Sequence, residues 1–153
     1  MFSQRIEHAR FKQLRRGLFS YSGIVVLAGQ RDIPVHIAGR SARNLERAAA
    51  ELAPLFDDFY AAVAPATSEF FAGYDAVRDA VRDGEVTLAE LGGSLPELRE
   101  SAEIWRHLVL ERIDIEPKRT TPLRLSFRAP WDIEHDYGIY LAGGRMSYAG
   151  VSV

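Results

Sequence analysis

The sequence predicts an α+β fold, and three observations predict it. β-branched and alternating apolar residues fill 1–40, an apolar period of three to four residues takes over across 41–101, and alternation returns across 102–153. The strict strand–helix–strand alternation that a parallel sheet requires is missing. The expected architecture is a single domain over 1–153: a largely antiparallel sheet, built from N-terminal strands and a C-terminal hairpin, packed against an inserted helical layer. A chain of 153 residues can close one hydrophobic core and has little left for a second.

Each segment has its own signal. Tyr21 to Ala28 is apolar and β-branched, with Gly29 closing it, and Asp32 to Ala38 places Ile33, Val35 and Ile37 on one face. Gly29-Gln30-Arg31-Asp32 joins them as a turn, so the two form a hairpin. Pro34 has no N–H to give to a ladder, which predicts an edge strand. Ala9 to Arg16 is an ambiguous further strand. Ser41 reads as an N-cap ahead of Leu45, Ala48, Ala49, Leu52, Leu55, Phe56, Phe59 and Val63, an amphipathic helix that Pro54 should kink or break. A second helix starts near Ser68, buries a stripe of Phe70, Tyr74, Val77 and Val81, and ends at Gly84 in a left-handed cap.

Gly92-Gly93 reads as a loop, and Ser94-Leu95-Pro96-Glu97 has the spacing of a capping box, predicting a short helix to about Glu100. From Glu103 an extended chain is expected, with Trp105, Val109 and Ile113 on one face and Leu108 and Leu110 on the other. Leu123, Leu125 and Phe127 alternate with Arg124, Ser126 and Arg128, one face buried and one solvated. Ala142-Gly143-Gly144 closes a hairpin between Gly138–Leu141 and Arg145–Val151.

Composition excludes several classes. Apolar residues make up 47% and charged residues 26% of the chain, too apolar for a disordered protein. Without cysteine there is no disulfide framework, thiolate metal site or cysteine nucleophile. No stretch is long and apolar enough to span a bilayer, and the first residues do not read as a signal peptide, so a cytoplasmic protein is expected. The net charge of −2 hides an uneven distribution: residues 1–40 carry seven cations and two anions, 41–101 five and twelve, and 102–153 seven of each. Such asymmetry bears on association and steering.

The segment richest in chemically active residues is Trp131-Asp132-Ile133-Glu134-His135-Asp136, read as a connector between strands. Asp132, Glu134 and His135 could hold a divalent metal or supply acid and base groups. In an extended chain, however, Asp132 and Glu134 share a face and His135 points away. As architecture, Trp131 anchors the connector in the core while its carboxylates accept loop N–H groups or pair with Arg124 or Arg128. No serine-nucleophile elbow or phosphate-binding loop occurs, and the only lysines are Lys12 and Lys118. Arg10, Lys12, Arg15 and Arg16, beside Phe11 and Phe19, could bind nucleic acid, although the chain is net acidic. Glu46, Glu51, Asp57, Asp58, Glu69, Asp75, Asp79 and Asp83 give the helices an acidic, solvated side that could dock a basic partner.

Trp131-Asp132-Ile133-Glu134-His135-Asp136-Tyr137-Gly138, with Arg124 to Phe127 before it and Gly143-Gly144 after, resembles a bacterial family of uncharacterised domains with a C-terminal Trp-Asp-x-Glu-His-Gly-x-Gly motif. Some members are candidate immunity proteins of polymorphic toxin systems. The motif resemblance covers the C-terminal third; elsewhere only the order of elements agrees. Asp136 stands where the family has glycine, while Gly138 is kept. The resemblance implies a small α+β protein and no catalytic residues. The expected function is therefore a non-enzymatic, cytoplasmic protein-binding domain, of immunity type, that occludes a toxin and needs no cofactor. Trp131, Asp132, Glu134, His135 and Gly138 are its candidate binding or motif residues. The alternatives are a small metal-dependent hydrolase using Asp132, Glu134 and His135, and a nucleic-acid binder using the basic N-terminal segment.

Overall fold

The computed structural model describes residues 4–27, 30–92 and 94–152. Its strands are β1 (Gln4–Arg5), β2 (Lys12–Arg16), β3 (Ser20–Val26), β4 (Asp32–Ala38), β5 (Val109–Ile115), β6 (Leu123–Ala129), β7 (Asp132–Ala142) and β8 (Arg145–Ser152). They form one eight-stranded sheet in chain order. Every neighbouring pair is antiparallel except β4 and β5, which run parallel. The helices α1 (Ala42–Asp57), α2 (Phe59–Val63), α3 (Thr67–Arg82) and α4 (Leu88–Leu91) lie in the crossover between those two strands. The α+β class and the largely antiparallel sheet are as expected.

One parallel pairing changes the place of Pro34. The edge position read from its missing N–H is wrong, because β4 sits between β3 and β5. Gly39 N donates to Phe19 O at 2.9 Å, in line with the β3–β4 register that pairs Tyr21 with Ile37 and Val25 with Ile33. Odd-numbered residues of β4 thus bond toward β3, and Pro34 directs its nitrogen toward β5. Pairing with β5 starts only at Val35, opposite Ile113, and β5 bulges between Leu110 and Arg112. The missing donor falls just beyond the ladder, where the strands part.

The ambiguous stretch before β3 also contains a bulge. Register shifts between Lys12 and Arg15, and Gln13 takes a φ of 51°, which breaks the alternation. Ala28 and Gly29, the expected end of the third strand, lie outside the described residues, as does Gly93.

Ser41 caps α1 as expected, accepting from Asn44 N at 3.1 Å. The helix does not break at Pro54, which lies inside it. It ends at Asp58, whose N–H reaches Pro54 O at 3.1 Å and whose carboxylate caps α2 by accepting from Ala61 N at 3.0 Å. Gly84, just past α3, has a φ of 76°, the left-handed conformation expected there. Beyond it, two expectations fail. Residues 94–100 form no helix, and the capping box belongs instead to α4, where Thr87 and Glu90 bond reciprocally at 3.2 and 2.7 Å. Ser101–Arg106 is a 3₁₀ helix, so the extended chain begins at Val109 and not at Glu103. In β5 the bulge puts Leu110 and Ile113 on the same, buried side, against the faces read from strict alternation.

The core lies between the helices and one face of the sheet. Leu52, Leu55, Val63, Phe70 and Ile104 meet Ile37, Ile113, Leu125, Phe127 and Ile139, all at most 2% exposed. At 3.6 residues per turn α1 and α3 each turn one stripe inward, and the strands contribute every second residue. The opposite sheet face, bearing Ser22, His36, Arg112 and Arg128, is exposed. Among the described residues no helix is long and apolar enough to cross a membrane.

Candidate functional site

The Trp131–Asp136 segment is strand, not a connecting loop. The turn from β6 to β7 is tight, with Ala129 paired to Asp132, so β7 takes up the segment from Asp132 onward. Trp131 occupies that turn and is fully buried. Its indole N–H donates to the Tyr137 hydroxyl at 3.0 Å, and Tyr74 and Tyr137 meet the ring edge-on at centroid distances of 5.2 and 6.2 Å. An aromatic ring that is buried with its polar N–H satisfied is an anchor, as the sequence suggested.

A register shift between Phe127 and Ala129 bends the start of β7. Flat alternation would separate Asp132 from His135; the bend brings them together, with Asp132 Oδ2 2.6 Å from His135 Nδ1. Asp132 is 2% exposed and also accepts from Glu134 N at 3.3 Å. Glu134 enters the cluster through its backbone, and its side chain is exposed. Asp132 therefore orients an imidazole that is 30% exposed. Among the described residues no three His, Cys, Asp or Glu side chains group closely enough to hold a metal ion. His8 faces Glu46 at 3.1 Å, His36 lies on the outer sheet face, and His107 stands edge-on to Trp131 at 6.5 Å.

Tyr137 is the group whose acidity this environment changes most visibly. Burial pushes its hydroxyl up from 10.0 to about 12; the Trp131 N–H opposes that by favouring the phenolate, and the Asp132 charge adds to it. The folded value exceeds the unfolded one, so its contribution is complete below pH 10 and lost as pH rises from 10 to about 12. Two pKa steps correspond to about 3 kcal/mol. In urea titrations Tyr137→Phe should lose the corresponding part of the stability decline over this range. Absorbance at 295 nm should lose the Tyr137 transition, one of six tyrosines in the chain. An unchanged alkaline profile would show that another group governs it.

Gly138 has a different role from its motif neighbours. It is buried, and the Arg124 guanidinium lies across it, with Nε 3.7 Å from where a Cβ would stand. Arg124 Nη2 donates to Asp136 Oδ2 at 2.7 Å, and the guanidinium lies 5.6 Å from the Tyr140 ring centre. The expected Arg124–carboxylate pairing is thus made, through Asp136, while Arg128 pairs outside the motif with Glu111 at 3.3 Å.

Asp136, Arg128 and Glu111 belong to a site that the sequence reading missed. Where β4 and β5 part, a groove of about 940 Å³ opens on the outer sheet face; Pro34, Leu110, Arg112, Ser126, Arg128 and Asp136 are among its walls. Ser126, expected to be solvated, is only 5% exposed, and its hydroxyl has no hydrogen-bond partner among the described residues. Arg124-x-Ser126-x-Arg128 was visible as an alternation, but the opposing Arg112 and Asp114 come from a strand paired through it only in three dimensions.

The two charged regions are largely engaged locally. Arg10 lies on the Phe56 ring at 4.8 Å and Phe11 is 5% exposed, whereas Phe19 is 83% exposed at the β2–β3 turn. On the helices, Asp75 pairs with Arg78, Asp79 and Asp83 pair with Arg82, and Glu51 accepts from Gly143 N.

Residues 11–152 match a family described as a domain of unknown function, DUF6985. No curated protein and no solved structure matches the chain.

Proposed function

We propose that this chain, which belongs to the DUF6985 family, is a non-enzymatic protein-binding domain that meets its partner with the outer face of its sheet. The carrying observation is that face itself. Among the described residues no helix covers it, and it presents Arg112, Arg124 and Arg128 among Asp114, Glu111 and Asp136, flanked by Tyr140 and by Tyr148, which is 62% exposed. Arginine and tyrosine are the residues most enriched where binding energy concentrates, and interleaved charges of both signs fix orientation and exclude wrong partners. The specific form of this reading is a bacterial, cytoplasmic, immunity-type inhibitor that occludes a toxin.

The test is co-expression with the product of the neighbouring open reading frame, scored by growth and by a binding titration. The double variant Arg112→Glu/Arg128→Glu should weaken the complex by about 100-fold or more and abolish protection. Both side chains are more than half exposed and their partners are surface pairs, so the variant should keep its melting temperature. Undiminished binding by this variant would refute the sheet-face reading, and would direct attention to the acidic side of the helices. Absence of any lethal neighbour would refute the immunity form.

A further inference from the structure

We propose that Arg124 and Ser126, at the middle of the outer sheet face, form a subsite for one carboxylate side chain of the protein partner; this deepens the binding function proposed above and rests on it. Two buried donors there lack an acceptor among the described residues. Arg124 Nε and Ser126 Oγ are each buried without a hydrogen-bond partner. Burying a donor unpaired is costly, so such atoms are rare in a folded protein. Arg124 offers Nε and Nη2 along one edge, the edge that grips a carboxylate two-pronged, and Asp136 takes Nη2 alone. Gly138 lies beneath the guanidinium, where a Cβ would come into ordinary contact with Nε and Nη2. Ser126 is two residues along the same face of β6, opposite Arg112 on β5 and Gly138 on β7. It also lines the groove, which connects the subsite to solvent.

Charge decides what fits. The groove walls hold Arg31, Arg112 and Arg128 against Asp32, Glu111 and Asp136, a balance that gives no net attraction to a polyanionic backbone or a dianionic phosphate. A single carboxylate adds one negative charge, beside Arg124, and supplies the two acceptor oxygens that the orphaned donors lack.

The probe is blocked glutamate, N-acetyl-glutamate N-methylamide, titrated into the isolated protein with the Arg124 Nε–H and Gly138 backbone N–H resonances followed by NMR, the Gly138 resonance alone being read in Arg124→Lys. Blocked glutamine and inorganic phosphate serve as the comparisons. A saturable shift with blocked glutamate, in the millimolar range, is expected. It should be absent with blocked glutamine and lost in Ser126→Ala and in Arg124→Lys. No saturable shift, an equal shift in Ser126→Ala, or tighter binding of phosphate would overturn the proposal. Ser126→Ala keeps the test decisive even if Arg124→Lys fails to fold.

The complex separates the two readings. Ser126→Ala should weaken partner binding about tenfold, the loss of one charge-assisted contact. If Arg112→Glu/Arg128→Glu destroys the complex while Ser126→Ala binds unchanged, the subsite is refuted and the sheet-face function stands. If blocked glutamate binds but the double variant leaves the complex intact, the carboxylate site stands and its assignment to a partner falls.

Discussion

Trp131→Ala should cost about 3–5 kcal/mol of folding stability. The indole is fully buried in the turn between β6 and β7, and the change removes the largest side chain in the core. Two penalties combine. A cavity opens against Tyr74 and Tyr137, whose rings pack edge-on against it. The Tyr137 hydroxyl then loses the N–H that it accepts at 3.0 Å. Trp131→Phe separates the two penalties: it keeps much of the volume but withdraws the N–H, and should cost about 1–3 kcal/mol. Urea denaturation of both variants, with stability read from the midpoint and an unchanged slope, checks the ordering. If Trp131→Ala costs less than Trp131→Phe, the indole is not the anchor described here.

The same turn shows how far the sequence could be read. That Trp131 anchors was legible, because a lone large aromatic after proline in a strand-rich region has few other places to go. The strand that follows was not, because Asp132, Glu134, His135 and Asp136 imitate a polar loop. What makes them strand is pairing with β6 and β8, which no local pattern encodes. The Asp132–His135 contact depends on a bulge, and bulges leave no periodic trace. Pro34 failed for a related reason. Its missing N–H was correctly understood, but the strand beside it is contributed from the far end of a helical insertion.

Local signals were reliable where nothing competed with them. The period change at Ser41, the inward residues Leu123, Leu125 and Phe127 of β6 and the glycine turn before β8 all match the structure. Gly143 and Gly144 have φ values of 58° and 78°, the positive angles that a two-residue hairpin turn demands. Two capping boxes did compete. Thr87-x-x-Glu90 forms a helix because Leu91 can bury at its end. Ser94-x-x-Glu97 does not: Pro96 O is held by the Tyr74 hydroxyl at 2.5 Å, and Leu98 is buried in the core beside it. Tertiary contacts spend the backbone groups that a second helix would need. The orphaned donors at Arg124 and Ser126 were invisible for the opposite reason, since only coordinates reveal that a polar residue has no partner.

Phe70→Ala should be as costly as the tryptophan change, about 3–5 kcal/mol, but by loosening a different joint. Phe70 is fully buried on α3, and its ring lies 5.6, 6.0 and 5.2 Å from those of Trp105, Phe127 and Tyr137. These neighbours come from the 3₁₀ turn, from β6 and from β7, so one side chain ties α3 to the end of the crossover and to the strands that follow it. Val77, further along the same stripe, is only partly buried, and Val77→Ala should cost about 1 kcal/mol. The two variants also differ in where stability is lost. Removing Phe70 leaves α3 without its central contact, so amide exchange along Thr67–Arg82 should accelerate more than exchange in β6 and β7, which retain their ladder bonds. Uniform acceleration across helix and sheet would instead mean that the two layers open as one cooperative unit, and that the aromatic cluster does not divide them.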